Sequence, residues 1–285
     1  MKERLLTAAV ALPVLILSII LPWILPVYPE TAWLFVFLVA VAIIAGLFEY
    51  FSLTKKLELK ADASLGYVFA GLFFIAFVFD APGKAPELLS ATTIVFLISL
   101  LISQTFRFQK DFSKMLGGVG VTLLGVLWIA FLGSYLVAIR VGFEYSVVTS
   151  LSSKILLYFF LVTMGSDAGA YFIGKKFGKR KLVPKISPNK TWEGFVGGII
   201  LAIGFAALST LLFFPEFPYQ ASVSLAVAMS LIGVGGDLTA SAMKRGSKTK
   251  DAASILPGHG GLLDRLDSLL FNAPIMFYFA RYYFF

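Results

Sequence analysis

The chain has no cysteine and a single histidine, His259, among its 285 residues. That excludes disulfides, thiolate catalysis and cysteine-ligated metals, and leaves a zinc site only one imidazole to draw on. Any metal bound here takes oxygen ligands. Amides are scarce too, with three Gln and two Asn. The shortage is compatible with a heat-adapted source, but a lipid-exposed composition produces it unaided. Charge is the largest deficit, since Asp, Glu, Lys and Arg make up 14% of the chain against about 25% in soluble domains. With 59% hydrophobic residues and a mean hydropathy of +0.89, this is an integral membrane protein.

Apolar stretches approach the roughly 20 residues that cross about 30 Å of hydrocarbon at 5–27, 31–53, 64–79, 88–104, 117–139, 155–174, 193–214, 222–243 and 267–284. The expected fold class is therefore all-α, a polytopic integral membrane protein with about nine transmembrane helices. The third and fourth stretches are short and separated by a turn at Asp80–Glu87. Lys2 and Arg4 precede the first, but its length and the lack of a small-residue cleavage site argue against a signal peptide. With a cytoplasmic N-terminus, 20 of the 24 Lys and Arg fall on the inner side, and only Lys84, Arg140, Lys154 and Arg281 fall outside. The positive-inside rule supports that orientation. The inner loop at 175–192 alone carries seven, and the net charge of +8 resides in such connections. It suits an anionic leaflet or anionic substrate, whereas nucleic acid is not an expected partner of a chain almost wholly within lipid.

The character of the chain changes near residue 150. Residues 1–150 read as a transmembrane scaffold of about five helices, and 151–285 as a catalytic region of about four helices with two basic cytoplasmic loops. Glu49 is the only acid deep in the first five spans; close to Lys55 and Lys56, it suits an interfacial or helix-pairing role. Asp167 and Asp237 interrupt later spans. An ionised carboxylate in a bilayer costs at least about 2.5–3.5 kcal/mol, so both need a cation, a partner or a proton. Their distances from Lys175 and Lys244 put both roughly 10–12 Å below the inner surface at about 1.5 Å per residue, so they can share one site. Both sit among small residues, Met164-Gly165-Ser166-Asp167-Ala168-Gly169-Ala170 and Gly233-Val234-Gly235-Gly236-Asp237, which let helix backbones approach. Asp237, Ser241 and Lys244 follow i, i+4, i+7 spacing along one helix face.

Chemistry concentrates between Asp237 and Asp267. Asp264 and Asp267 form an i, i+3 pair at the start of the last helix, able to converge on a hard cation such as Mg²⁺ or merely to favour a helix N-terminus. In Pro257-Gly258-His259-Gly260-Gly261 the glycines let backbone amides face an anion, and Lys244, Arg245, Lys248, Lys250 and Arg265 can neutralise a triphosphate. No Gly-Lys-Ser/Thr ends this run, so it is not a Walker loop. His259 suits hydrogen bonding or charge stabilisation better than base catalysis, because a phosphate nucleophile is already largely ionised near neutral pH.

The residues Ser241-x-x-Lys244-Arg245, Lys250-Asp251, Leu256-Pro257-Gly258-His259-Gly260-Gly261 and Asp264-Arg265-x-Asp267 resemble the signature of the phosphatidate cytidylyltransferase (CDP-diacylglycerol synthase) family. Ser166-Asp167-x-Gly169-Ala170-Tyr171 and Ser187-Pro188-x-Lys190-Thr191-Trp192-Glu193-Gly194 are similar to further blocks of that family, so the resemblance covers roughly residues 160–270. Asn189 departs from it, standing where Lys is more usual. The resemblance implies transfer of a cytidylyl group from CTP to phosphatidic acid, an inner-membrane enzyme with its site facing the cytoplasm, and a homodimer. It further implies one or two Mg²⁺ ions, with or without a monovalent ion. On this reading Asp167, Asp237, Asp264 and Asp267 hold or orient metal. Lys244, Arg245, Lys250, Gly258, His259, Gly260, Gly261 and Arg265 bind CTP phosphates, Asp251 belongs to the catalytic signature, and Ser187, Lys190 and Thr191 receive the lipid phosphate. Two other functions use such groups. A CTP-dependent polyprenol or phytol kinase would pass the γ-phosphoryl to a lipid alcohol, and a cation-coupled transporter would use Asp167 and Asp237 as ion ligands. The Asp-Gly-x-x-Ala-Arg text of CDP-alcohol phosphotransferases is missing.

Overall fold

The computed structural model describes residues 2–25, 31–80, 87–143, 148–247 and 261–284, the side chains of residues 2–8 excepted. Among them run nine helical rods: α1 (Lys2–Ile24), α2 (Ala32–Lys56), α3 (Ala63–Phe79), α4 (Glu87–Arg107), α5 (Phe112–Gly142), α6 (Leu151–Phe177), α7 (Trp192–Leu212), α8 (Tyr219–Gly246) and α9 (Leu263–Phe284). Six are long and apolar enough to cross a membrane, and Ala9–Ile24 and α3 are shorter apolar helices. The protein is thus an all-α, multi-pass membrane protein, as its hydropathy implies. Among the described residues one element departs from that pattern, a small antiparallel hairpin of β1 (Lys181–Val183) and β2 (Ser187–Thr191).

Most helices run about a turn beyond their apolar stretch, and the added turns carry charge. α2 ends on Lys55 and Lys56, α4 on Arg107, α6 on Lys175 and Lys176, and α8 on Lys244 and Arg245. Cations in a last turn meet the unsatisfied carbonyls and negative pole of the helix. Alternate helices ending this way give the bundle one basic end. α9 is less apolar than the six long spans, but Asp267, Ser268 and Asn272 on it are buried within the bundle rather than turned to lipid.

One apolar core runs through the molecule, from Ile19 of α1 to Ala280 of α9. A smaller cluster of Phe69, Phe73, Phe96, Leu100 and Val126 joins α3, α4 and α5. Within α5 the residues Val126–Phe131 widen into a π-helical turn. Tyr50 of α2 presses its ring against Gly125, where a Cβ would lie 2.5 Å from ring carbon Cε1, and its hydroxyl donates to the Val121 carbonyl at 2.8 Å. A side chain reaching into the helical ladder is a recognised cause of such local widening.

Two contacts between helices place the candidate residues. α6 and α7 meet through small residues: a Cβ on Gly169 would lie 2.6 Å from the Gly197 carbonyl oxygen, and one on Gly198 would lie 2.9 Å from that of Ser166. Only glycine permits such contact between helices. α2 and α9 meet through Glu49, which is fully buried and whose two oxygens accept the amides of Leu262 and Leu263, each at 2.7 Å.

Candidate active site

The hairpin fixes one wall of the site. Thr191 closes β2 and caps α7, its backbone extended at φ −129° and ψ 156° and its Oγ1 accepting the Gly194 amide at 3.1 Å. Glu193 turns back and accepts the amides of Lys179 and Arg180 at 3.0 and 3.2 Å. Arg245, at the end of α8, donates from Nε to the Ile186 carbonyl at 3.1 Å. The hairpin is thereby fastened to α6, α7 and α8, and Lys190 reaches Asp237 of α8, Nζ to Oδ2 2.5 Å.

The opposite wall comes from α8 and α9. A Cβ on Gly236 would run into the backbone carbonyl of Asp267, so the absent side chain draws α8 onto the first turns of α9. Asp237, the next residue, is thereby set beside Asp267. Ser241 donates to Asp237 Oδ1 at 3.3 Å, and Lys244 Nζ lies 2.5 Å from Asp264 Oδ1. The face of Asp237, Ser241 and Lys244 read from spacing is the face that meets the site.

Between these walls lies a cavity of about 550 Å³. Four carboxylates line it, Asp167, Asp237, Asp264 and Asp267, together with four cations, Lys175, Lys190, Lys244 and Arg265. Asp237 repels both Asp167 and Asp267; Lys190 and Arg265 attract Asp167, and Lys244 attracts Asp267. Asp267 is 6% exposed and its Oδ1 also accepts the Ser268 amide at 2.7 Å, whereas Asp167 is open to the cavity. Among the described residues acids and bases line the cavity in equal number, so an anion and a cation can be held side by side.

Most of the sequence-derived candidates among the described residues meet here: Asp167, Lys190, Thr191, Asp237, Lys244, Asp264, Arg265 and Asp267 all line the cavity. Ser187 instead sits at the far end of β2, opposite Val183, and Arg245 holds the hairpin turn. Gly261 is buried directly ahead of the two residues that Glu49 grips. Lys250, Asp251, Gly258, His259 and Gly260 lie outside the described residues. Phe195, which carries no role in the sequence reading, also lines the cavity, as does Lys175, which that reading counted only among the basic residues of the inner loop. Lys175 had a signal: Asp167, Tyr171 and Lys175 are spaced i, i+4, i+8 and share a helix face.

The fit to a metal follows from the donor set. Among the described residues no three His, Cys, Asp or Glu side chains converge closely enough to form a ligand cluster. Mg²⁺ does not need one, since it usually takes one or two carboxylates and completes its shell with water and substrate phosphates. Pairs drawn from Asp167, Asp237 and Asp267 meet that requirement. A second depression, on the outer side of α6 and α7, is lined by Lys179, Arg180, Trp192 and Glu193 among apolar residues. Among the described residues its one acid, Glu193, is already committed to backbone amides, so the first cavity is the candidate site.

The profile of the cytidylyltransferase family matches residues 2–283. The chain belongs to the cytidylyltransferase family. It is similar along nearly its whole length to two bacterial phosphatidate cytidylyltransferases. That of Bacillus subtilis (strain 168) is 33% identical over 286 residues, covering 98% of this chain and 97% of the relative. That of Staphylococcus haemolyticus (strain JCSC1435) is 35% identical over 282 residues, covering 97% of each. A shorter match, to the phosphatidate cytidylyltransferase of Haemophilus influenzae, reaches 46% identity over 135 residues, 46% of each chain. Membership of this cytidylyltransferase family makes the protein a nucleotidyltransferase.

Proposed function

We propose that the protein is a CTP:phosphatidate cytidylyltransferase of the cytoplasmic membrane, forming CDP-diacylglycerol and pyrophosphate for phospholipid synthesis at a site that faces the cytoplasm. The observation that carries this reading is the meeting of four carboxylates and four cations in one cavity at the basic end of a cytidylyltransferase-family bundle. CTP reaches that end from water, and phosphatidate reaches it sideways from the adjoining leaflet. Neither has to cross the membrane.

A non-bridging phosphate oxygen of phosphatidate attacks the α-phosphorus of CTP in line. The bond from that phosphorus to the bridging oxygen breaks, and its electron pair leaves with pyrophosphate. The nucleophile is largely ionised near neutral pH, so no strong base is needed, and no covalent enzyme intermediate is formed. Lys190 and Thr191 take the lipid phosphate; Lys244 and Arg265, with Arg245, Lys250 and His259, take the phosphates of CTP. Each incoming phosphate competes with Asp237 for Lys190 or with Asp264 for Lys244. As the lysines turn to phosphate, acid oxygens are released toward the cavity. Asp237 with Asp167 or Asp267 would hold Mg²⁺, which when bound neutralises phosphate charge and stabilises the developing pyrophosphate.

The deciding experiment supplies purified protein in detergent with CTP and phosphatidate, with and without Mg²⁺, and follows pyrophosphate and the lipid product. Stoichiometric pyrophosphate and CDP-diacylglycerol, lost when either Mg²⁺ or phosphatidate is omitted, are the expected result. Release of CDP with a phosphorylated lipid alcohol would replace the reading with a kinase, and no turnover by folded protein would leave it without support.

A further inference from the structure

We propose that Glu49, far from the signature in sequence, is a positioning residue for the active site: it sets the first turn of α9, and with it Asp264, Arg265 and Asp267. What that turn does rests on the cytidylyltransferase reading; how it is held rests on geometry. Glu49 is completely buried, with Oε1 on the Leu262 amide and Oε2 on the Leu263 amide, both at 2.7 Å. Amides that lead into a helix have no acceptor within it, and a carboxylate there also meets the positive pole of the helix. Holding two successive amides fixes both the height of the helix end and its rotation about its own axis. A single hydrogen bond would leave that rotation free.

The contact continues one turn away. A Cβ on Gly46 of α2 would lie 3.5 Å from Leu266 Cδ1, so the two helices are seated against each other on the same faces. Asp264 follows the second gripped residue directly, and Asp267 lies a turn further on. Apolar packing would suffice to join two helices. A fully buried acid is the more demanding arrangement, and what it adds is a pair of short, charge-assisted bonds aimed at the backbone that carries the catalytic acids.

The test uses the full chain in lipid nanodiscs, with Glu49→Ala and Glu49→Gln compared against Phe73→Ala. Phe73 is completely buried in the smaller core cluster and touches no cavity residue named above, so it reports general destabilisation. The readouts are kcat and KM for CTP and phosphatidate per folded molecule, together with hydrogen exchange at residues 262–267. Glu49→Ala is expected to lower kcat about a hundredfold while both KM values stay within about threefold, the pattern of misplaced reacting groups. Exchange at Leu262 and Leu263 should quicken at least about tenfold. Glu49→Gln keeps one acceptor and should fall between, whereas Phe73→Ala should lose Tm and keep kcat. Wild-type kcat in Glu49→Ala, or a loss that only follows the unfolded fraction, overturns the proposal. Should wild-type protein itself give no CDP-diacylglycerol, the cytidylyltransferase reading falls separately. Exchange at 262–267 then decides the anchoring, faster in Glu49→Ala if it holds and unchanged if it does not.

Discussion

Lys190 holds Asp237 across the cavity and Lys244 holds Asp264 within one wall, and that pairing makes every member costly to remove. Asp237→Asn and Asp264→Asn keep the size of the side chain and lose the charge. Each is expected to lower pyrophosphate release at least about a hundredfold while leaving an inserted, folded protein; near-normal turnover would remove that residue from the site. Lys190→Met should raise the KM for phosphatidate about tenfold, as the loss of one charge-assisted phosphate contact does, with the KM for CTP little changed. Arg281→Ala, near the other end of α9 and outside the cavity lining, should stay within about twofold per folded molecule by the same assay, as changes away from a site usually do. At this scale the sequence was legible where charge broke a membrane span. Asp167 and Asp237 announced themselves by their cost, and their spacing from Lys175 and Lys244 placed them at one depth. The partners were not legible, because Lys190 meets Asp237 only after the hairpin has folded across α8.

Among the elements, the run Gly233–Gly236 was readable as a place for close approach, but which glycine approaches what depended on the crossing of two helices. Gly236 faces the carbonyl of Asp267, whereas around Gly235 there is open space. Gly236→Ala should therefore lower both thermal stability and kcat, since backbone has to move, and Gly235→Ala should change neither; a thermal melt and a turnover assay on the pair would show it. Thr191→Ala removes the α7 cap and is expected to cost about 1 kcal/mol, with Thr191→Ser restoring it. The helices themselves were legible from apolar runs alone, with ends displaced by about a turn because their terminal charges favour helix poles rather than lipid. The hairpin was not, since Ser-Pro-Asn-Lys-Thr shows no apolar alternation and its place is held by Glu193, on the amides that lead into it, and by Arg245, on its turn. Nor was the π turn of α5, which answers to Tyr50 of another helix.

For the whole molecule, the lack of cysteine is useful in itself: any cysteine introduced is the only one. Lys185→Cys on the exposed hairpin turn and Gln220→Cys at the opposite end of the bundle should react with a membrane-impermeant maleimide from opposite sides. The Lys185 side should be the one from which CTP supports turnover. Labelling of both from one side would refute the alternating path of the chain. This labelling tests the orientation expected from the distribution of Lys and Arg, since charge sorting acts on short loops individually. The union of the two halves was not legible. Glu49 gave only its burial cost, while its partners lie 213 and 214 residues further along. That separation has a consequence in time. At roughly 5–20 residues per second of synthesis, Glu49 is in place for about ten to forty seconds before the amides that satisfy it exist. It waits near the basic end of α2, within reach of water, so the unfinished chain is spared an unpaired acid in mid-bilayer. Its burial becomes favourable only when α9 arrives, so the candidate site cannot take shape before that helix is made.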